Sequence, residues 1–534
     1  MSASSGGKGG NWVLAAMVFA VGMTFIDMTI VSIAIPAIQK DLSLSETGIQ
    51  WMVNAYLLAL SATFALGGRL GDTLGKVRMV VLGVVMFATA SALCGLTPNG
   101  SIAEAWMITF RAVQGIGAAL MLPAALALII SAYPIEKRGK ALAIFFAITG
   151  GLTSIGPIAG GYLTEVDWRA IFWVNIPIAI IALILIAIAK PTDEKNPQPI
   201  DYLGAVLVTG GMALSVLGLQ QASDWGWGSG QTIGALVVGT LLLIAFFVHE
   251  LRSTDPLIRV RIFTDRSFAA DNVVLLLLSA VFIPLFFFSS TYAQLSLEQS
   301  AANAGLYLLI FFAGFAIASQ FGGRILDQRG ARPAIVLGSA LAAAGFFLWG
   351  SKMTDLDISA QWPFIVLAGA GIGLILGPAN TDAINRAPAS TYGEATGITQ
   401  TVRNYGASVG LAIMGTILIT ENRANLEAAL GKIGIGKAQA DGIADQVAGG
   451  GGPPAGGGGG SAEVFRAIQD AYAQSTQTVF YVMAGIMAAV FLFSIIFVPR
   501  GKVEGPVAED KFDNPGEQPS GQPAASDGSD SVPA

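Results

Sequence analysis

Long apolar runs, separated by short charged or glycine-bearing breaks, dominate the pattern of this chain. Fourteen are long enough to cross a bilayer. They lie at roughly 12–36, 50–70, 78–97, 105–130, 139–162, 169–189, 202–221, 231–249, 270–292, 303–325, 333–351, 362–384, 395–419 and 475–498. A helix of about 20 apolar residues spans the hydrocarbon core and satisfies its own backbone. A membrane β-barrel would instead show short alternating segments. The pattern therefore predicts an all-α polytopic membrane protein with 14 transmembrane helices.

The polar breaks divide the helices into groups. Residues 1–11 form a short terminus, 12–189 a first six-helix bundle, and 190–266 two inserted helices with charged flanking loops. Residues 267–500 form a second six-helix bundle that includes a long external loop at 420–474. Two glycine runs in that loop read as flexible spacer, with a short interfacial helix expected at 462–472. The stretch 501–534, rich in Pro, Gly, Ser, Asp and Glu, reads as a disordered tail.

Composition agrees with a lipid setting. Hydrophobic residues make up 53% of the chain, charged residues only 12%, and the mean hydropathy is +0.65. A soluble domain carries about 25% charged residues. The first apolar run is too long for a signal core, so it is expected to stay as an uncleaved helix. With the N-terminus inside, 20 of the 29 Lys and Arg fall on the cytoplasmic side and seven outside. The positive-inside rule therefore places both termini in the cytoplasm of a cell whose cytoplasmic membrane holds the protein. Cys94 is the only cysteine and His249 the only histidine. No disulfide, metal centre or cofactor is expected, and no nucleophile–base cluster suggests an enzyme. A phosphate-cradling loop of the P-loop type is also missing, which argues against direct ATP coupling.

The two bundles repeat one another. Gly67-Gly68-Arg69-Leu70-Gly71-Asp72 and Gly75 return 255 residues later as Gly322-Gly323-Arg324-Ile325-Leu326-Asp327 and Gly330. A weaker echo pairs Gly115-Ile116-Gly117 with Gly371-Ile372-Gly373. Such a parallel repeat is a recurrent transporter architecture, with the binding site between the halves.

Of the 35 acidic residues, Asp27 alone reads as deep in a span, whereas Asp271, Asp382 and Glu394 sit near helix ends. A charge in hydrocarbon must pair, meet water or take up a proton. Asp27 lies nine residues before Pro36, about 14 Å at the helical rise, and Arg111 lies seven residues after Glu104, about 10 Å. The two opposite charges thus sit at similar depth on antiparallel helices. They form either a proton-handling pair or a static structural ion pair. Asn54 and Tyr56 on helix 2, Gln114 on helix 4, Phe287 on helix 9 and Arg403 on helix 13 are candidate cargo contacts. The polar ones serve equally well as interhelical hydrogen bonds, and the run Phe286-Phe287-Phe288 more often faces lipid. Arg403 has no clear acidic partner in the sequence.

Asp27-Met28-Thr29-Ile30-Val31-Ser32-Ile33-Ala34-Ile35-Pro36 resembles the first-helix signature of the fourteen-helix drug:proton antiporters of the major facilitator superfamily. Gly68-Arg69-Leu70-Gly71-Asp72-Thr73-Leu74-Gly75-Lys76-Val77-Arg78 resembles the superfamily's loop 2–3 motif, and Arg111-Ala112-Val113-Gln114-Gly115-Ile116-Gly117-Ala118-Ala119 its helix 4 motif. Gly156-Pro157-Ile158-Ala159-Gly160-Gly161 resembles the helix 5 antiporter motif. Trp168 to Pro177 is similar to a stretch typical of the fourteen-helix branch. Thr73 stands where a basic residue is usual, and Ala143 and Leu152 where glycines often stand. The resemblance implies two six-helix superfamily bundles with two extra helices between them, and a proton-coupled antiporter exporting lipophilic or cationic drugs. Asp27 and Arg111 would couple the proton. Gly68, Arg69, Gly71, Asp72, Gly75 and Arg78 would bias the conformational switch, and Gly156, Pro157, Gly160 and Gly161 would seal the halves. The expected partners are protons, a small-molecule cargo and membrane lipid, with no nucleic acid and a monomer as the default. Export of an endogenous amphiphile, such as a lipid or self-made antibiotic, is the alternative, and a non-transporting membrane sensor or scaffold is a third reading.

Overall fold

The computed structural model describes residues 8–133, 135–192, 199–386, 392–436, 439 and 460–501. Its helices are α1 (Lys8–Leu42), α2 (Glu46–Leu74), α3 (Lys76–Gly95), α4 (Ala103–Ala132), α5 (Ile135–Val166), α6 (Ala170–Trp173), α7 (Asn175–Ala189), α8 (Tyr202–Gln220), α9 (Ala222–Trp225) and α10 (Gly230–Arg252). The second half holds α11 (Arg266–Leu295), α12 (Ala301–Arg329), α13 (Ala331–Ser351), α14 (Ile358–Asn385), α15 (Tyr392–Lys432) and α16 (Gly460–Phe497). Among the described residues there is no strand. Among the described residues thirteen spans are long and apolar enough to cross a membrane, with α6 and α7 together making one of them. The expected span at 139–162 falls within α5. The chain is a multi-pass membrane protein.

Local chemistry sets the helix ends. Ser45 Oγ accepts from Gly48 N–H at 2.9 Å, Asp201 Oδ1 from Gly204 N–H at 2.8 Å, and Asp265 Oδ1 from Ser267 N–H at 2.8 Å, so each side chain caps the donors left free at a helix start. Gly75 and Gly330 end α2 and α12 with φ of +110° and +85°, a region that glycine enters without a Cβ clash. The break at Val174 has a proline behind it. Pro177 cannot donate to the carbonyl of Trp173 and its ring crowds that group, so the helix restarts at Asn175.

The internal repeat reappears as packing. Gly83 of α3 and Gly117 of α4 face each other so closely that a Cβ on Gly83 would lie 2.6 Å from Gly117 O. Gly338 of α13 and Gly371 of α14 meet in the same way, again at 2.6 Å. Gly115 lies against the backbone of Tyr56, as Gly369 lies against that of Phe311. The spatial counterpart of Gly115-Ile116-Gly117 is therefore Gly369-Ala370-Gly371, two residues earlier than the sequence echo suggested. The chemistry of the halves diverges at this point. The position matching Arg111 in that register is Ile365, fully buried in an apolar core.

Two expectations for the second half need correction. The external loop is not spacer over all of 420–474, because α15 runs on to Lys432 and α16 begins at Gly460. Leu426, Leu430, Ala467 and Ala471 form an apolar cluster of their own, which gives the two extensions a reason to stay helical and pair. The short interfacial helix expected at 462–472 is the first part of that continuous helix. Phe286, Phe287 and Phe288 are 1%, 5% and 0% exposed, so they face the protein interior rather than lipid. Phe286 stacks on Phe312 with ring centroids 5.2 Å apart, an aromatic pairing that favours burial. The tail after Gly501 and most of the glycine-run segment lie outside the described residues.

The proximal face is here the one from which α1 starts, and the distal face the opposite one. On the α5/α12 side the halves meet near the distal face. A Cβ on Gly161 would lie 2.6 Å from Ala302 Cα, Gly305 lies against Pro157, and Ala302 N–H donates to Glu165 Oε1 at 3.2 Å. Towards the proximal end, Gly150 and Gly151 of α5 and Gly323 of α12 have no neighbour within 4 Å of a built Cβ. That seam opens proximally.

On the other side the inserted helix α8 covers the junction of α2 and α15. Thr209 Oγ1 donates to Ala62 O at 3.2 Å, Ser215 and Tyr405 share a hydrogen bond of 2.7 Å, and Thr416 Oγ1 donates to Leu219 O at 2.8 Å.

Candidate functional site

Asp27 and Arg111 are 0% and 1% exposed, and Arg111 Nη1 donates to Asp27 Oδ2 at 2.5 Å. Each member of the pair is held by further groups. Gln114, one turn along α4 from Arg111, donates from Nε2 to Asp27 Oδ1 at 2.9 Å and accepts from Arg111 Nη1 at 2.8 Å. Arg111 Nε donates to Met52 O at 3.2 Å, and the guanidinium lies over the Tyr56 ring at 4.5 Å from its centroid. A cation on an aromatic face is favourable, more so away from water. The pair thus joins α1, α2 and α4.

Asn175 adds a contact that sequence reading did not single out. Its Nδ2 lies 3.5 Å from Asp27 Oδ1 and donates to Ser91 Oγ at 3.0 Å; Ser91 in turn donates to Phe172 O at 2.8 Å. The break at Val174 places this amide at the start of α7. The available signal was a lone polar residue two positions before Pro177 in an otherwise apolar run. Asp27 therefore accepts from one cation and two neutral amides. If the guanidinium moves away, only neutral donors face the carboxylate, which leaves its charge uncompensated in an apolar bundle.

The antiporter-like motif on α5 grips this same part of α1. Thr29, two residues after Asp27, donates from Oγ1 to Thr153 O at 3.0 Å, and a Cβ on Gly156 would collide with Thr29. A Cβ on Gly160 would stand 2.9 Å from Ile30 O. Gly161 and Pro157 contact α12, so the motif touches Asp27's helix on one side and the opposite half on the other. Leu152, where glycine is often found, sits against Gly22 of α1, which supplies the missing room. The side chain of Ala143 lies outside the described residues.

At the proximal face, Asp72 pairs with Lys76 at 3.2 Å and is 45% exposed. Gly67 and Gly71 lie close to α4, Gly68 has Pro123 at 3.7 Å from a built Cβ, and Arg78 is exposed on α3. Thr73 bonds back to Arg69 O at 3.0 Å, and Arg69 Nε donates to Pro199 O at 3.1 Å. That last bond ties the loop 2–3 segment to the start of the inserted pair.

The other candidates separate. Gln114 and Tyr56 belong to the Asp27 shell. Asn54 bolts the halves together, donating to Gln220 Oε1 at 2.6 Å and to Ser408 O at 3.3 Å while accepting from Ser408 Oγ. Phe287 packs edge-on to Phe288 in the core. Arg403 Nη1 donates to Gln400 Oε1 at 2.7 Å.

Asp27 is not the only buried acid. Asp271 and Asp382 are 0% and 2% exposed, and Arg386 Nε lies 3.5 Å from the first and 2.7 Å from the second. Distance from a helix end is a poor guide to burial where helix ends converge inside the protein, which is why sequence position alone placed these two at the periphery.

The sequence profile of the Major Facilitator Superfamily matches residues 17–411. The chain belongs to this superfamily of membrane transporters. Among its superfamily relatives, the tetracenomycin C resistance and export protein of Streptomyces glaucescens is 34% identical over 78% of this chain and 77% of that protein. Multidrug resistance protein 3 of Bacillus subtilis (strain 168) is 29% identical over 92% of this chain and 96% of that protein. The crystal structure of a bacterial homologue of the human lysosomal transporter Spinster, inward-facing and unoccupied, has the same superfamily fold. It aligns with a TM-score of 0.64 at 17% identity, over 93% of this chain and 98% of that one.

Proposed function

We propose that this superfamily member is a proton-coupled antiporter that exports lipophilic or cationic small molecules across the cytoplasmic membrane, with both chain ends in the cytoplasm. The observation that carries the proposal is the buried Asp27–Arg111 pair, 2.5 Å apart and wrapped by Gln114, Asn175 and Tyr56. The named export and resistance functions of the relatives support the direction and the kind of cargo.

In this reading the proximal face is cytoplasmic and the arrangement is open to the cytoplasm along α5/α12. Cargo enters while Asp27 is ionised and held by Arg111. Reorientation separates α5 from α12 at the distal seam and draws the guanidinium off the carboxylate. Asp27 then takes a proton from outside as cargo leaves. Return to the inward state brings Arg111 back, which expels the proton to the cytoplasm. A potential of 100 mV supplies roughly 2.3 kcal/mol per charge moved, or about fifty-fold accumulation. Asp72 and its glycine neighbours act at the cytoplasmic edge, where loss of a charge–dipole contact worth up to about 2 kcal/mol biases the exchange.

The test is cargo-induced collapse of a pH gradient in everted vesicles. The reading expects collapse with the wild type and none with Asp27→Asn; an unchanged response in the variant ends it. Export of a self-made amphiphile is the second reading, favoured by the tetracenomycin C resistance and export protein among the relatives. It predicts a response to one compound class rather than to a chemically mixed panel.

A further inference from the structure

Arg403 is a partly buried cation without a counter-ion among the described residues. Its only hydrogen bond among the described residues, from Nη1 to Gln400 Oε1 at 2.7 Å, stays on its own helix one turn back. Its Nε is buried and makes no hydrogen bond, and the guanidinium forms no ion pair among the described residues. A guanidinium never gives up its charge under physiological conditions, and presents five donors in a planar fork. Leaving such a group without an anion in a membrane interior is strongly unfavourable, and intramembrane charges of this kind mark cargo or ion paths.

The packing of α15 shows where that charge points. Gly406 and Gly410 lie on α11, Tyr405 reaches α8, and Thr401 O and Ser408 bond to α2. At 100° per residue, Arg403 falls on the remaining stripe, between those facing α2 and α11. Gln400 and Ala407 share the stripe, and Ala407 is buried in the core of the first half, alongside Tyr56 and Phe64. Arg403 therefore faces the space between the halves, where alternating access places cargo. In the opposite half the Asp27 charge is already matched by Arg111. Asp271 and Asp382 share Arg386, and among the described residues no carboxylate forms an ion pair with Arg403.

We infer that Arg403 recognises cargo bearing an acidic group (a carboxylate, a sulfonate or a phenolate-type oxyanion) on an apolar body. The inference rests on the export reading and narrows its cargo from lipophilic or cationic molecules to lipophilic acids. Gln400 fixes the guanidinium's tilt and leaves its remaining donors for the anion, a bidentate geometry that lysine cannot match.

The test compares pyrenebutyrate with pyrenebutyl-trimethylammonium, which share one apolar body and differ in charge. Binding to the purified full-length protein in detergent is read by pyrene fluorescence without any gradient, so the result stands apart from whether transport is proton-coupled. The wild type is expected to prefer pyrenebutyrate. Arg403→Gln should weaken pyrenebutyrate at least tenfold, while ammonium binding and elution from a sizing column stay unchanged. Arg403→Lys, which keeps the charge and loses the fork, should fall between the two. A wild type that does not prefer the acid would overturn the inference. So would an Arg403→Gln protein that holds pyrenebutyrate as tightly as before, or one that loses both probes equally.

Discussion

Replacing one partner of the Asp27–Arg111 pair should harm the protein more than replacing both. Both groups are essentially unexposed, so Asp27→Asn leaves an intact guanidinium with neutral acceptors and the Tyr56 ring as company but no counter-charge. Breaking a buried pair in this way costs about 3–5 kcal/mol, because the surviving charge stays desolvated. Arg111→Gln leaves Asp27 with the amides of Gln114 and Asn175, and a comparable loss follows. The double variant Asp27→Asn/Arg111→Gln carries no buried charge. Its two amides can bond to each other and to Gln114, so its loss should be only about 1–2 kcal/mol. The interaction energy of the cycle is then several kcal/mol, far from additive. Thermal unfolding of the three variants in one detergent, followed by loss of the monodisperse sizing peak, provides the assay. At roughly 2–4 °C per kcal/mol for a domain of each half's size, the single variants should melt on the order of 10 °C low. The double variant should recover most of that. Single losses that simply add in the double variant would refute the claim that the two charges depend on each other.

Three further outcomes follow from the packing. Gly161→Val puts a branched side chain where even a Cβ would come 2.6 Å from Ala302 Cα, so it should prop the α5/α12 seam, lower efflux at least about tenfold and raise passive proton leak in vesicles. Gln220→Leu removes the partner of Asn54 between α8 and α2, and should cost about 1–3 kcal/mol of stability on thermal unfolding through the unsatisfied amide. Gln361→Leu breaks the buried chain in which Gln361 donates to Tyr292 OH at 2.8 Å and accepts from Tyr307 OH at 2.6 Å. It should lower the melting temperature by several degrees while leaving cargo affinity and proton coupling intact, and a change in either would show that the chain does more than rivet the second half.

What the sequence made legible was set by periodicity and by rare residue types. Apolar run length gave the helices because lipid leaves the backbone no other economical solution. The depth match of Asp27 and Arg111 on antiparallel helices pointed to a contact that geometry then shows at 2.5 Å. What was hidden depended on convergence in space. Asn175 was masked by its apolar neighbours until the break at Val174 turned it towards Asp27. The burial of Asp271 and Asp382 comes from the meeting of α11 and α14 around Arg386, which no single helix reveals. The place of α8, over the seam of α2 and α15, was equally unreadable, since a hydropathy profile says that a helix crosses lipid and not which helices it touches. The glycine echo in the fourth helices was read two residues out of register, because Gly369, Gly371 and Gly373 offer the same spacing twice.

The central claim is that cargo occupancy and protonation of Asp27 exclude one another, and proton release on cargo binding tests it most directly. Purified protein is held in weakly buffered detergent solution at a series of starting pH values. Saturating cargo is added, and a dissolved pH indicator reports the protons freed. The account predicts release approaching about one proton per bound cargo as the starting pH falls, and none from Asp27→Asn at matched cargo occupancy. Equal release from wild type and variant, or no release from the wild type at any pH, would contradict it.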